Sequence, residues 1–191
     1  HVEQMNEESA NALLKVMEEP PEGVLFLLTA DSLAGVLPTI RSRCISFAVA
    51  PVSPADCARY CTAQGVDGKA AALYSELFDG HIGTVLDAAR DEARRAQVDK
   101  ALALAKAAAA QDSYAAAVLL AAYEKDKAGA AALLADFRAV AAAGLRGSKH
   151  SPVTGDAARK ALGLADTAIQ RLGGQVNPKI VLTVLAARFR A

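Results

Sequence analysis

Arg41 and Arg43 stand one residue apart in LPTIRSRCISF (37–47), between a proline-marked turn and a short apolar run. Like charges crowded at the end of an apolar stretch raise the question of which anion they face. A guanidinium is always charged and forks onto oxyanions, which suits it to stabilise charge on a transferring γ-phosphoryl group. The same residues also fit a surface role, each arginine making an exposed ion pair worth about 0–1 kcal/mol. In an extended segment, residues two apart point to opposite faces, so one arginine faces outward and the other packs or pairs. Glu18, Glu19 and Glu22 form an acidic cluster at the end of a helical pattern, where carboxylates oppose the helix dipole. They read as a solvated helix end or as partners for basic groups of a neighbour.

Other candidates for chemistry are weaker. GVDGKAA (65–71) offers a Gly-Lys pair, but Ala70 stands where a phosphate loop needs Ser or Thr for magnesium, and no strand precedes it. It reads as a turn and a helix start. His81 falls between two helices, and His150 falls in a loop with no acidic neighbour in sequence; no Ser–His–Asp or Cys–His set can be argued from these spacings. Cys57 and Cys61 share a helix face at i, i+4 but have no further ligands nearby, so with Cys44 they read as reduced thiols. An odd cysteine count without a signal peptide points to a reducing cytoplasm.

Lysine plus arginine equals aspartate plus glutamate at 21 each, so any nucleic-acid contact must be local. Apolar residues make up 53% of the 191, many of them alanine, and tryptophan is absent. That balance suits closely packed helices. The uncharged candidate 113–123 is too short to span a bilayer, so no membrane role is expected.

The elements that must position the arginines come from the first 50 residues. A helix is predicted within 5–23, capped by Asn6, with Glu7 and Glu8 in its first turn, an apolar stripe of Leu13, Leu14 and Met17, and a stop at Pro20–Pro21. VLFLLTA (24–30), bounded by Gly23 and Asp31, has the pattern of a strand buried on both faces, and ISFAV (45–49) reads as a second strand. Two strands and one helix cannot bury such a run, and the chain begins at His1, so residues 1–50 are expected to be the tail of an α/β domain. From Pro51 and Pro54 onward the periodicity is helical, with helices predicted at about 54–63, 67–78, 82–110, 112–125, 127–146, 155–172 and 178–190. Ser53, Asp67, Asp112 and Asn177 are the expected caps, with Pro54 and Pro178 at first helical positions.

NALLKVMEEPPEGVLFLLTADSLAGVLPTIRSRC (11–44) closely resembles the stretch shared by bacterial DNA polymerase III clamp-loader subunits of the AAA+ family. The resemblance rests on Asn11–Lys15, Glu18–Pro21 and Ser42–Cys44. It implies a mostly α chain: a remnant of an AAA+ α/β core (1–50), a helical lid (51–95) and an all-α collar for oligomerisation (96–191). It further implies that Arg43 is an arginine finger acting in trans on ATP and magnesium held by a neighbouring subunit. Ser42 and Cys44 would support that motif, and Thr29 would occupy the sensor-1 position.

Two departures mark the subtype. Gly83 stands where ATP-binding gamma/tau subunits carry a lid arginine, and the water-activating acid falls on His1. NPKIVLTVLAARF (177–189) also looks like the last collar helix of the delta-prime type. These resemble delta-prime, which donates a finger without hydrolysing ATP itself, so this fragment is expected to bind no cofactor and to hold no complete ATPase site. Implied partners are the gamma/tau and delta subunits, and the sliding clamp and primed DNA through the complex. The alternatives are a gamma/tau-type ATPase lacking its phosphate loop, a replication-independent AAA+ or repair protein that carries the same core segment, or a helical scaffold in which Arg41 and Arg43 pair with carboxylates of this chain.

Overall fold

A computed structural model describes residues 2–30, 32–50 and 52–190. The expectations attached to His1, Asp31 and Pro51 fall outside these. The described residues form ten α-helices and no strand, and the chain divides into two compact units, residues 1–50 and 51–191.

In the first unit, α1 (Glu7–Glu18) begins where Asn6 Oδ1 accepts from the Ser9 amide at 2.8 Å. Its buried Ala10 packs with Val36 and with Ile40 of α2 (Pro38–Arg41), while Leu13, Leu14 and Met17 cover the edge of that small cluster. The strands predicted at 24–30 and 45–49 do not form among the described residues; both segments lie outside regular secondary structure. Leu25, Leu27, Ile45, Phe47 and Val49 are each at least 82% exposed. A strand is held by its neighbours' hydrogen bonds and by layers packed on its faces. The apolar pattern that calls for a sheet is present, and the elements that would build one are not among these residues.

The second unit contains α3 (Pro54–Ala63), α4 (Gly68–Leu77), α5 (Ile82–Arg90), α6 (Glu92–Ala109), α7 (Ser113–Ala121), α8 (Lys127–Leu145), α9 (Gly155–Gly173) and α10 (Pro178–Ala187). The expected caps are made: Ser53 Oγ accepts from Asp56 N at 3.1 Å, Asp67 from Lys69 N and Ala70 N at 3.0 Å, Asp112 from Ala115 N at 2.9 Å, and Asn177 from Lys179 N at 2.9 Å. One continuous core runs from Cys57 to Phe189. Within it α8 packs against α6 and α9, and α10 against α7 and α9. Alanines such as Ala101, Ala105, Ala141, Ala158 and Ala165 have no exposed surface, which lets the helix axes approach closely.

The predicted single helix over 82–110 is two helices. Asp91 is extended, with its N–H donating to Asp87 O at 3.0 Å, while its carboxylate accepts from Ala93 N at 2.8 Å and Arg94 N at 3.2 Å. Aspartate competes for backbone amides better as a cap than within a helix, which the apolar periodicity alone does not register. The restart puts Arg94 in the first turn of α6, where its guanidinium meets the Asp136 carboxylate of α8 on both oxygens, the Nη2–Oδ1 contact being 2.6 Å. Gln97 Nε2 donates to the same carboxylate at 2.8 Å, and Arg94 lies 5.5 Å from the Phe78 ring centre. Asp136 is 4% exposed while the Arg94 side chain keeps 23% of its surface, so the pair joins a buried carboxylate to a partly buried guanidinium. It holds the guanidinium charged more firmly than an ordinary arginine.

By length and composition α8 would suffice to cross a bilayer, yet half of it is buried here. Leu133, Leu134, Phe137 and Val140 face the core, and its single acid is tied to α6.

Candidate functional site

A short helix opens at Pro38, whose fixed φ suits the first helical position, and α2 lasts one turn, with Ile40 only 1% exposed. A turn comes directly after it: Ser42 N donates to Pro38 O at 2.9 Å and Arg43 N to Ile40 O at 3.1 Å. Arg41 and Arg43 are therefore not on an extended segment with alternating faces, as the apolar run after them suggests. Arg41 ends α2, and Arg43 sits in the turn beyond it. Ile40 is buried against Ala10 and Val36, which anchors this short helix on α1.

The Arg43 side chain folds back over α2. Its Nη1 donates to Thr39 O at 3.0 Å and touches Ser42 Oγ at 3.5 Å, while the Ser42 hydroxyl donates to Thr39 O at 3.0 Å. Its Nη2 donates to Glu18 Oε1 at the end of α1. Both partners stay open to solvent, the Arg43 side chain 39% and the Glu18 side chain 52% exposed. The sequence signal for this pair is the carboxylate placed against its own helix dipole. That signal suits pairing with a neighbour, whereas in the structure the arginine belongs to the same chain. Thr39 gives no signal, because it acts through its backbone oxygen.

Cys44 is half-buried beside Val36 and Ile40. Thr29 lies exposed outside any strand, its carbonyl accepting from Val2 N at 2.9 Å. Thus Ser42, Arg43 and Cys44 are gathered on one turn, while nothing among the described contacts brings the Thr29 side chain to them.

In the second unit, Gly83 lies in the first turn of α5, and a Cβ built there would meet nothing within 4 Å. His81 precedes α5 and is exposed. His150 does have an acidic neighbour, contrary to the expectation from its loop: Nε2 lies 4.0 Å from Glu76 Oε2. The Ser148 hydroxyl donates to that carboxylate at 2.6 Å, and His150 N donates to Ser148 Oγ at 3.2 Å. The serine proton is thus directed at glutamate and not at imidazole, the opposite of a hydroxyl activated by histidine. Cys57 and Cys61 are both fully buried and free. Burial and the adjacent Cys57 push the Cys61 thiol up, so it stays protonated and unreactive. Among the described residues, no three of His, Cys, Asp or Glu converge to hold a metal ion.

Residues 1–53 match the family described as DNA polymerase III, delta subunit. Over 64 residues the chain is 42% identical to DNA polymerase III subunit delta' of Yersinia pestis, covering 34% of this chain and 19% of that protein. It is 57% identical over 42 residues to subunit delta' of Haemophilus influenzae, covering 22% and 13%. It is also 43% identical over 60 residues to subunit gamma/tau of Mycobacterium bovis, covering 29% and 10%. In each case the match spans less than a fifth of the relative's length.

Proposed function

The N-terminal region is related to the delta-prime and gamma clamp-loader subunits of DNA polymerase III, and from that premise we propose that this chain belongs to a delta-prime-type subunit. In this reading it binds no nucleotide itself. Arg43 completes an ATP site on an adjacent gamma/tau-type subunit, with magnesium held there, and Ser42 and Cys44 support the turn that presents it. Residues 51–95 serve as lid and 96–191 as collar, and the assembled loader, with its delta subunit, places a sliding clamp on primed DNA in the cytoplasm. The observation that carries the reading is Ser42-Arg43-Cys44 lying on one turn within the matched residues, with the guanidinium still reachable from solvent. Gly83, which has no charge to offer a phosphate, favours delta-prime over gamma/tau.

The test is clamp loading onto primed DNA by a loader reassembled with the full-length subunit carrying Arg43→Ala. Loss of loading with the subunit still folded and incorporated supports the role; unchanged loading removes it.

A second reading is favoured by one contact. A scaffold arginine would pair with a carboxylate of its own chain, as Arg43 does with Glu18. In that case Arg43→Ala lowers the stability of the first unit and leaves ATP turnover by the complex alone.

A further inference from the structure

Arg43 has two kinds of hold on its surroundings. One arm of the guanidinium is anchored to a backbone carbonyl, Thr39 O, and the other is committed to a carboxylate, Glu18. A carbonyl shares charge weakly, whereas a carboxylate is a full anion of the same fork geometry as a phosphate edge. Glu18 Oε1 therefore takes up Nη2, one of the arms this guanidinium would offer to a phosphate oxygen. Its own position argues that the pairing matters: it is the last residue of α1, where the helix dipole disfavours a negative side chain. Lys15 adds a positive charge to the same last turn, and the Arg43 guanidinium is the cation in direct contact with the carboxylate among the described contacts. Because both side chains are well exposed, water screens the pair, and so it can be exchanged.

We infer that Glu18 is an exchangeable latch: it holds the Arg43 guanidinium while no anionic partner is present and yields it to the phosphate of an adjacent subunit. This rests on the proposed role of Arg43 in trans and adds its regulation. The latch keeps a mobile cation parked in one rotamer, and it makes engagement depend on an anion strong enough to displace a carboxylate. A nucleotide-free neighbour does not release it. The opposite arrangement is a brace, in which Glu18 stays bound and orients Arg43 in the complex.

The experiment measures association of the full-length subunit with its gamma/tau-type neighbour, once with ATP and once without nucleotide, for the wild type, Glu18→Gln, Arg43→Ala and the double substitution. A latch predicts that Glu18→Gln tightens the ATP-bound association by about two- to fivefold, the range of one exposed ion pair, with no change when nucleotide is absent. It also predicts that the gain vanishes in the Arg43→Ala background. Weaker ATP-dependent association with Glu18→Gln would overturn the latch in favour of the brace. A gain that persists without Arg43 would overturn it too, as a general effect of removing one negative charge. If Arg43→Ala leaves the ATP-dependent association unchanged, the role of Arg43 itself fails, and the two failures are thereby distinguished. Circular dichroism of each variant and the neighbouring substitution Glu19→Gln control for folding and for net charge.

Discussion

Glu18 and Arg43, 25 positions apart, meet as a solvent-exposed ion pair that ties the end of α1 to the turn after α2. The sequence places both residues at the ends of recognisable motifs without linking them. The pair is also where two accounts of Arg43 diverge, since an arginine held by its own chain can be structural or merely parked. Its exposure decides what is feasible: a pair this open contributes about 0–1 kcal/mol, too little to prevent an incoming phosphate from taking the guanidinium.

The Arg94–Asp136 pair should behave very differently. Asp136 is buried and accepts from both Arg94 and Gln97. Asp136→Ala leaves the partly buried Arg94 guanidinium and the Gln97 amide without their shared acceptor and should cost about 1.5–3 kcal/mol in a denaturant titration. Replacing both partners with apolar residues of similar size should recover most of that loss. Equal losses for the single and double variants would contradict the assignment.

Two glycines of the 80–86 stretch should respond in opposite ways. At Gly80 φ is +76°, and a Cβ would lie 1.6 Å from the Val52 carbonyl oxygen. Gly80→Ala should therefore destabilise by more than about 2 kcal/mol. Gly83 has open space around its Cβ and helical backbone, so Gly83→Ala should stabilise by about 0.5–1 kcal/mol. Thermal melts of the two variants check both signs.

Thiol labelling of the native chain should modify Cys44 first, with Cys57 and Cys61 reacting only on unfolding, because Cys44 is half-buried and the other two are fully buried. Stability should also fall in alkali. Burial, with Cys57 beside it, raises the Cys61 thiol, and burial, with Asp99 nearby, raises the Tyr74 phenol. Each group thus holds its proton more tightly when folded. The stabilisation is complete below the ordinary thiol and phenol range and is lost as pH rises through that range and above it. A melting temperature that rises over that interval would contradict the burial.

The second unit is legible in the sequence because its signals are local. Ser53, Asp67, Asp112 and Asn177 cap the helices they are expected to cap, and Pro54 and Pro178 open theirs. Asp91 escapes because an aspartate inside an apolar periodic run looks like a surface position until its backbone is seen to be extended. The first unit is less legible for the opposite reason. Leu25, Leu27, Ile45 and Phe47 carry the pattern of a buried sheet, but a sheet is a property of several segments, and these two do not pair. The same nonlocality hides the partner of Arg43. Its helix-and-turn setting arises from Pro38 and Ile40, whereas Glu18 is brought near by the packing of α1 on that turn through Ala10, Leu13, Leu14 and Met17. His150 is parallel: its acidic neighbour, Glu76, lies far away in the chain.

The central claim is that Arg43 stabilises charge on ATP held by another subunit, and the rate of ATP hydrolysis tests it most directly. A loader reassembled with the full-length Arg43→Ala subunit, saturated with clamp and primed DNA, should lose about 10³-fold or more in hydrolysis at the one site this subunit completes. The melting temperature of the isolated variant should change little. Hydrolysis at that site indistinguishable from wild type, with the variant subunit fully incorporated, would contradict the account.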